Sequence, residues 1–377
     1  MQNDYIMVQT PSRSAGQKLF SEEPHSAVNA LAAAQAIAFA PYVFQASVLL
    51  RDWGLLDRIG KAGKSGASFR QLLDEFPERS KYALRVLLEG GLGIGLLLRN
   101  ENDHFVLTKT GHFFDKNQMT VANTNFMRDV CLPGVEDLEA SLERAKPAGL
   151  RHLGDWSTIY EGLSKLSEPV QKSWFEFDHY YSDIAFPEAI DFIFRKEDRP
   201  QRLLELGSNT GKWANISLGY CDGLHLGLVD LPPQLEMARK SLANEGLEHR
   251  ASFHPQNILD AESPLPRGFD AVWMSQFLDC FSDEEIVRIL RKCYDALPDE
   301  GAVYINETFW DRQRFAASAF SLQMITYYFT TMANGNSQMY DSKVFFGLVE
   351  EAGFRVVDEV DNVGIGHTLL KLKKVNS

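Results

Sequence analysis

The feature that most narrows the fold is an alternation of short apolar runs with helical stretches over residues 196–377. Apolar runs at 202–206, 224–229, 251–253, 269–274 and 302–305 read as strands, and runs at 355–360 and 367–372 close the series. Stretches 233–244, 283–297 and 342–352 carry helical spacing, and Ser282 with Glu285 forms a capping-box pattern. Strands alternating with helices of this length predict a parallel, doubly wound sheet. In such sheets the ligand lies beyond the carboxyl ends of the strands.

The first of these strands runs directly into Leu204-Glu205-Leu206-Gly207-Ser208-Asn209-Thr210-Gly211-Lys212-Trp213. Gly207 and Gly211 allow a tight turn and a close approach of backbone to ligand. Asp230 ends the second strand 19 residues after Gly211, where a carboxylate can take both hydroxyls of a ribose. The dinucleotide fingerprint fails, because Asn209 stands at its second glycine and no third glycine follows. The phosphate P-loop fails too, since only three residues separate the glycines and Trp213 follows the lysine. Glu205 adds negative charge at the turn, which disfavours a phosphate and suits a ligand with an amino group and a sulfonium.

The first half of the chain reads differently. Residues 1–24 are expected to form a mobile polar leader with no secretory signal. Residues 26–50 contain no Asp, Glu, Lys or Arg, a length that could span a bilayer. The run is Ala-rich, however, and holds Asn29, Gln35, Pro41, Gln45 and Ser47. Two helices broken near Pro41 and packed against protein, such as a second subunit, are expected in place of membrane insertion. Further on, Ser68 with Gln71 makes a capping box, a third helix runs from Ser80 to Gly90, and a short hairpin spans 96–108. Helix, helix, helix and hairpin over 25–112 is a winged-helix pattern. Residues 113–195 read as connecting helices, rich in aromatic residues from Trp156 to Phe186 that serve as core or as the wall of a pocket for a flat ligand.

Winged helices often read DNA, so charge matters here. The chain carries 38 Lys and Arg against 51 Asp and Glu, a net charge of −13, which repels a polyanion. The third helix offers only Lys81 and Arg85 as cations. No nucleic acid is therefore expected as partner. The four cysteines, Cys131, Cys221, Cys280 and Cys293, form no C-x-x-C pair and imply neither a metal site nor a redox motif. They suit a reduced, cytoplasmic protein.

Taken together, these motifs resemble the class I S-adenosylmethionine-dependent methyltransferases. More narrowly they resemble the O-methyltransferase family of plant phenolic and bacterial antibiotic-tailoring enzymes, over nearly the whole chain. The resemblance implies an α/β fold: a Rossmann-like, doubly wound seven-stranded sheet over 196–377 and an N-terminal, mainly α winged-helix-like dimerisation domain over 25–112. The helical linker at 113–195 would contribute to the acceptor pocket. The family's E/D-x-G-x-x-x-G loop matches Glu205, Gly207 and Gly211 with Asn209 between them, and its ribose-binding acid matches Asp230, followed by Leu231 and Pro232. Its adenine segment matches Asn257 and Ile258, and its F-N-x-A-M element is matched loosely by 177–181, placing Tyr181 near the cofactor. Ser275, at the end of the fourth strand, completes the implied cofactor set.

The catalytic segment departs from the family. The family's His general base falls on Asp279, within 275–283, and no His lies nearby in sequence. The family's first supporting Glu matches Glu307, and its second falls near Gln338. Asp279 can accept a phenol's proton if apolar neighbours such as Phe277 and Phe281 raise its pKa; otherwise it is a helix cap. His179 is the alternative base, and simple positioning of an already acidic acceptor a third route. Cys280 lacks an adjacent base and is not a nucleophile. The implied protein is a homodimeric methyltransferase that uses S-adenosylmethionine and no metal to O-methylate a small aromatic, phenolic or quinone-like acceptor. Its rivals are C- or N-methylation on the same fold and a non-catalytic, DNA-reading regulator that binds the same cofactor.

Overall fold

A computed structural model describes residues 20–195 and 199–375, the side chain of Ser182 excepted. The leader expected over residues 1–24 lies outside the described residues apart from its last few positions. The described residues form two compact units, one of residues 23–128 and one of the residues from 129 onward with residues 20–22.

The 23–128 unit opens with α1 (Ala27–Ala38) and α2 (Ala40–Asp52), bent by 77° at their junction. Pro41 sits in the first turn of α2, where its missing N–H costs nothing. No single helix among the described residues is long and apolar enough to cross a membrane; this bent pair passes on length and composition alone. Then follow α3 (Leu55–Lys61), α4 (Phe69–Glu75), α5 (Lys81–Ile94), the hairpin β1 (Leu97–Arg99) and β2 (Phe105–Leu107), α6 (Lys109–Lys116) and α7 (Gln118–Phe126). The capping box at Ser68 and Gln71 forms with both reciprocal bonds. Helix α5 runs past the expected stop at Gly90 and ends at Gly95, which adopts φ +85°. Gly91 explains the extension: a Cβ there would lie 3.0 Å from Leu97 and 3.1 Å from Leu50, so its absence lets α5 press against both. The core of this unit gathers Leu50, Leu55, Leu56, Ile59, Leu84 and Leu88. Helix α1 buries none of its residues.

The second unit begins with α8 (Leu138–Arg144), α9 (Ile159–Gly162), α10 (Glu168–Ser182) and α11 (Phe186–Phe194). The sheet elements follow: β3 (Arg202–Leu206), α12 (Lys212–Tyr220), β4 (His225–Asp230), α13 (Pro232–Asn244), β5 (Ala251–Pro255), β6 (Ala271–Ser275), α14 (Asp283–Ala296) and β7 (Ala302–Glu307). After α15 (Ala316–Tyr328) and α16 (Ser342–Glu351), β8 (Phe354–Val363) and β9 (His367–Lys374) end the chain. The seven strands are ordered β5-β4-β3-β6-β7-β9-β8. Five are parallel, whereas β9 runs antiparallel to β7 and β8 antiparallel to β9. The parallel, doubly wound core is the one expected above, and the reversal of β9 within it has a local reason. Only Gly364, Ile365 and Gly366 join β8 to β9, too short for the crossover that a parallel pair needs. Alternate residues of each central strand serve opposite faces. Leu204, Val272 and Ile305 meet one layer of helices, and Leu203, Trp273 and Tyr304 the other.

Candidate active site

All five parallel strands point their carboxyl ends the same way, and the site is assembled from the loops that leave them. At the end of β3 the chain coils sharply: Gly207, Asn209 and Gly211 take φ of +76°, +46° and +77°. Glycine adopts this region freely, and asparagine tolerates it better than most residues. A Cβ on Gly211 would lie 2.9 Å from the Ala238 backbone, so this glycine lets α12 start close against α13. A Cβ on Gly207 would lie 2.4 Å from the Phe277 ring. The loop after β3 and the loop after β6 are therefore in direct contact.

Asp230 closes β4 and holds the first loop by its backbone. Its Oδ2 accepts from the Asn209 N–H at 2.8 Å, and its Oδ1 from the Leu231 N–H at 2.7 Å. Burial pushes its pKa up to about 6. Glu205 is buried in β3 with Oε2 lacking a hydrogen-bond partner. Burial, and then the charge of Asp230, push Glu205 well above the usual carboxylate range. A buried carboxylate oxygen with no partner is costly unless a donor completes it. Beyond β5, the Asn257 Oδ1 accepts from the Leu259 N–H at 3.0 Å and Ile258 is buried. The Lys292 ammonium pins this loop by donating to the Ile258 and Ser263 carbonyls.

The loop after β6 carries the catalytic candidate. The Ser275 hydroxyl accepts from Asn306 Nδ2 at 3.0 Å, and Gln276 turns the chain with φ +44°. The N–H groups of Phe277 and Leu278 then both donate to Glu307 Oε1, at 2.9 and 2.8 Å. Glu307 is 2% exposed, and its second oxygen has no partner. It is thus a buried anchor of the loop that holds Asp279. Asp279 itself is buried and is no helix cap, because Ser282 caps α14 through the expected box with Glu285. Burial first, then the charge of Asp178, raise the Asp279 pKa to about 7. Burial and Asp279 together hold Glu307 well above its ordinary range. Phe277 and Phe281 pack edge to face at 4.9 Å beside Asp279.

Other sequence-predicted residues are placed differently. His179, on α10, lies 3.6 Å from Asp183 and stacks on Phe175. Its engagement by Asp183, which also pairs with Lys212, raises its pKa. Tyr181 packs on Phe177 and Tyr180 at centroid separations of 4.9 and 5.2 Å. Gln338 is exposed, so the residue aligned with the family's second supporting Glu anchors nothing buried. Two groups were not singled out from the sequence. Asp178 accepts from Asn209 Nδ2 at 3.1 Å and is raised to about 6 by burial. Tyr160 keeps its hydroxyl buried beside Cys280. Asp178 stands inside the 177–181 segment, at the Asn position of the family element; Tyr160 carries no sequence signal beyond its aromatic neighbourhood. No group of His, Cys, Asp or Glu among the described residues is arranged to hold a metal ion.

Comparison with known proteins bears on this arrangement. Residues 193–355 match the O-methyltransferase domain, and residues 32–105 match the Dimerisation2-like domain. The chain belongs to the S-adenosylmethionine-dependent methyltransferases. Relatives of this methyltransferase include the L-tyrosine C(3)-methyltransferase of Streptomyces lavendulae, 23% identical over 71% of this chain and 72% of that protein. The demethylspheroidene O-methyltransferase of Cereibacter sphaeroides is 26% identical over 61% of this chain but only 58% of its own length. Among solved structures, the apo form of the methyltransferase SibL superposes with a TM-score of 0.67 at 22% identity, covering 91% of this chain and 99% of that one. The mitomycin 7-O-methyltransferase MmcR gives 0.67 at 17% identity over 92% and 98%. These likenesses establish the fold of the methyltransferase.

Proposed function

We propose that this methyltransferase binds S-adenosylmethionine across the carboxyl ends of β3, β4 and β5 and methylates an oxygen of a small aromatic acceptor. The donor set suits that cofactor. Asp230 accepts a ribose hydroxyl, and Glu205 offers its unpartnered oxygen to a ligand bearing an amino group, whose positive charge favours the ionised carboxylate. The Gly207–Asn209–Gly211 turn brings bare backbone to the ligand, while Asn257 and Ile258 line the adenine side and Leu231, Ser275 and Tyr181 complete the set. When bound, the cofactor supplies an electrophilic methyl group on its sulfonium. The chain's own residues do the rest. Asp279 takes the acceptor's proton, Glu307 fixes the loop that aims it, and Phe277 sets that loop against Gly207.

The observation that carries this reading is Asp279, buried beside the Gly207 loop with its pKa raised to about 7. A general base works best with a pKa near the working pH, so an elevated carboxylate can stand where the family uses His. His179 is the weaker candidate because Asp183 engages it. The named chemistry of relatives supports an aromatic acceptor: a neocarzinostatin-pathway O-methyltransferase has been solved with S-adenosylmethionine and 2-hydroxy-5-methyl naphthoic acid. Other relatives are named for C- or N-methylation, so the oxygen is what the test must establish.

The oligomer we assign is a cytoplasmic homodimer. Helix α1 exposes Val28, Leu31 and Ile37, and Phe39 and Tyr42 continue the apolar surface. The regulator reading is disfavoured by the wing and third helix: Arg99 pairs with Asp103, and Arg85 lies over Phe69 in a hollow shared with Glu89. A methyl-transfer screen with labelled cofactor against phenols, catechols and hydroquinones tests the whole reading. Label on an acceptor oxygen supports it; label on carbon or nitrogen overturns the O-methylation assignment.

A further inference from the structure

The turn that carries Asp279 is clamped at both ends. Strand β7 holds its entry: the Gln276 N–H donates to the Asn306 carbonyl at 2.8 Å, and the Phe277 and Leu278 N–H groups donate to Glu307. Its exit is held by a segment more than fifty residues further along. Asn334 Nδ2 donates to the Cys280 carbonyl at 2.5 Å. The Tyr340 hydroxyl shares its proton between the Phe281 carbonyl at 2.8 Å and Asp283 at 3.0 Å. The two clamps use opposite chemistry. Residues of β7 offer acceptors to N–H groups of the turn, and the 334–340 segment offers donors to its carbonyls. Asp279 stands between them. A turn held at one end alone pivots about that end, so the second clamp decides where the Asp279 carboxyl points. Misplacing a reacting group by about 1 Å costs on the order of 100-fold in rate.

Asn334 is set as a fixed donor. Its Oδ1 accepts from the Ser337 hydroxyl at 2.8 Å, and Ser337 is buried. A flipped amide would place oxygen against the Cys280 carbonyl, so the donating nitrogen faces the turn. The chain that leads to Asn334 is equally constrained. Residues 329–333 continue α15 as a π turn with every residue buried, a geometry that recurs at functional sites. The Met332 sulfur fills a notch between Gly134 and Gly149, where a Cβ on either would lie 2.2 and 2.9 Å from it. The N–H groups of Asn334 and Gly335 both bond back to the Phe329 carbonyl, at 3.2 and 2.9 Å.

We propose that Asn334 is a positioning residue for methyl transfer: by holding the Cys280 carbonyl it fixes the 277–281 turn and aims Asp279. The assignment rests on the reading of Asp279 as the base. An Asn334 with a merely structural role would cap its own turn through Oδ1, and its bond to Cys280 would be incidental.

Two variants of the full-length protein separate these roles. Asn334→Asp keeps the oxygen that accepts from Ser337 and replaces the donating nitrogen, whereas Asn334→Ala removes both. Release of the turn is read as alkylation by iodoacetamide, located by peptide mass spectrometry. Cys280 should react about tenfold faster in both variants than in the native protein, roughly the worth of one hydrogen bond. The charge added by Asn334→Asp opposes thiolate formation, so faster reaction there reads release of the turn. The buried Cys131, Cys221 and Cys293 should stay unlabelled. An unchanged Cys280 rate would overturn the proposal, and so would labelling of all four cysteines together, which marks general unfolding. With the acceptor found by the labelled-cofactor screen, both variants should lower kcat roughly 10–100-fold at unchanged KM for S-adenosylmethionine. That loss should vanish in an Asp279→Asn background, because the two residues act as a unit. An equal loss in both backgrounds would break the link to Asp279. An Asp279→Asn variant that keeps the full rate would instead sink the base reading, while the Cys280 rate still reports the clamp.

Discussion

Two regions of this protein leave groups without partners, and of different kinds. At the strand ends of the unit from residue 129 onward they are polar and buried: an oxygen each of Glu205 and Glu307. On the first two helices of the 23–128 unit they are apolar and exposed: Val28, Ile37 and Tyr42 are 78%, 76% and 78% accessible. A buried polar orphan asks for a small ligand that supplies hydrogen bonds where water cannot go. An exposed apolar helix asks for a surface, because only area removes such side chains from water. The contrast sets a candidate site for chemistry against a candidate surface for assembly.

The chemical side breaks first if Asp279 is expendable. Asp279→Asn should lower the methyl-transfer rate by roughly 10²–10⁴-fold, the range for loss of a general base, with acceptor affinity changed far less. An unaltered single-turnover rate would remove Asp279 as base and leave positioning as the mechanism. Next, Asp230→Ala should weaken cofactor binding by about 100-fold in calorimetry. It removes hydrogen bonds to a charged group, worth about 1.5–3 kcal/mol each. Unchanged affinity would strip the ribose assignment from β4.

The assembly side is tested by charge on α1. Leu31→Glu combined with Ile37→Glu should shift sedimentation toward monomer, since each buried aliphatic side chain contributes about 1.5–3 kcal/mol. A dimer that survives at the same concentration would place the interface elsewhere. The smallest effect is on pH and stability. Asp178 and Asp230 are raised to about 6 and Asp279 to about 7, above unfolded values near 4. The folded state therefore binds more protons than the unfolded state between about pH 4 and 7, so these groups lower stability as pH rises through that window. Thermal unfolding of the ligand-free protein should show this loss, and Asp178→Asn should reduce it by on the order of 1 kcal/mol. An identical pH slope in the variant would mean that Asp178 is not buried as described.

The same contrast governs what could be read from residue order. Strands β3, β4, β6 and β7 were legible because each is a short apolar run buried on both faces, whereas the edge strand β5 is only half-buried. The place of Asp230 at the end of β4 was legible from its distance along the chain from Gly211. The antiparallel direction of β9 was not, because it depends on the length of the link at 364–366 rather than on any strand residue. The continuation of α5 through Gly91 depends on Leu50 and Leu97, and Asp178 meets Asn209 across 31 residues. Such contacts leave no periodic trace. The uncharged 26–50 run was legible only as an unmet need, and α1 buries no residue within the described chain.

The meeting of Gly207 with the Phe277 ring has a further consequence. A methyl group added at position 207 would meet that ring at 2.4 Å, so it cannot stay local. It would push on the loop whose next residues are Leu278 and Asp279, and the disturbance would reach the Asp279 carboxyl. Positions 207 and 277 can therefore drift in a lineage only as a pair. A glycine in the loop after β3 constrains the choice of residue in the loop after β6, and any redesign of the 277–281 turn begins with that inherited limit.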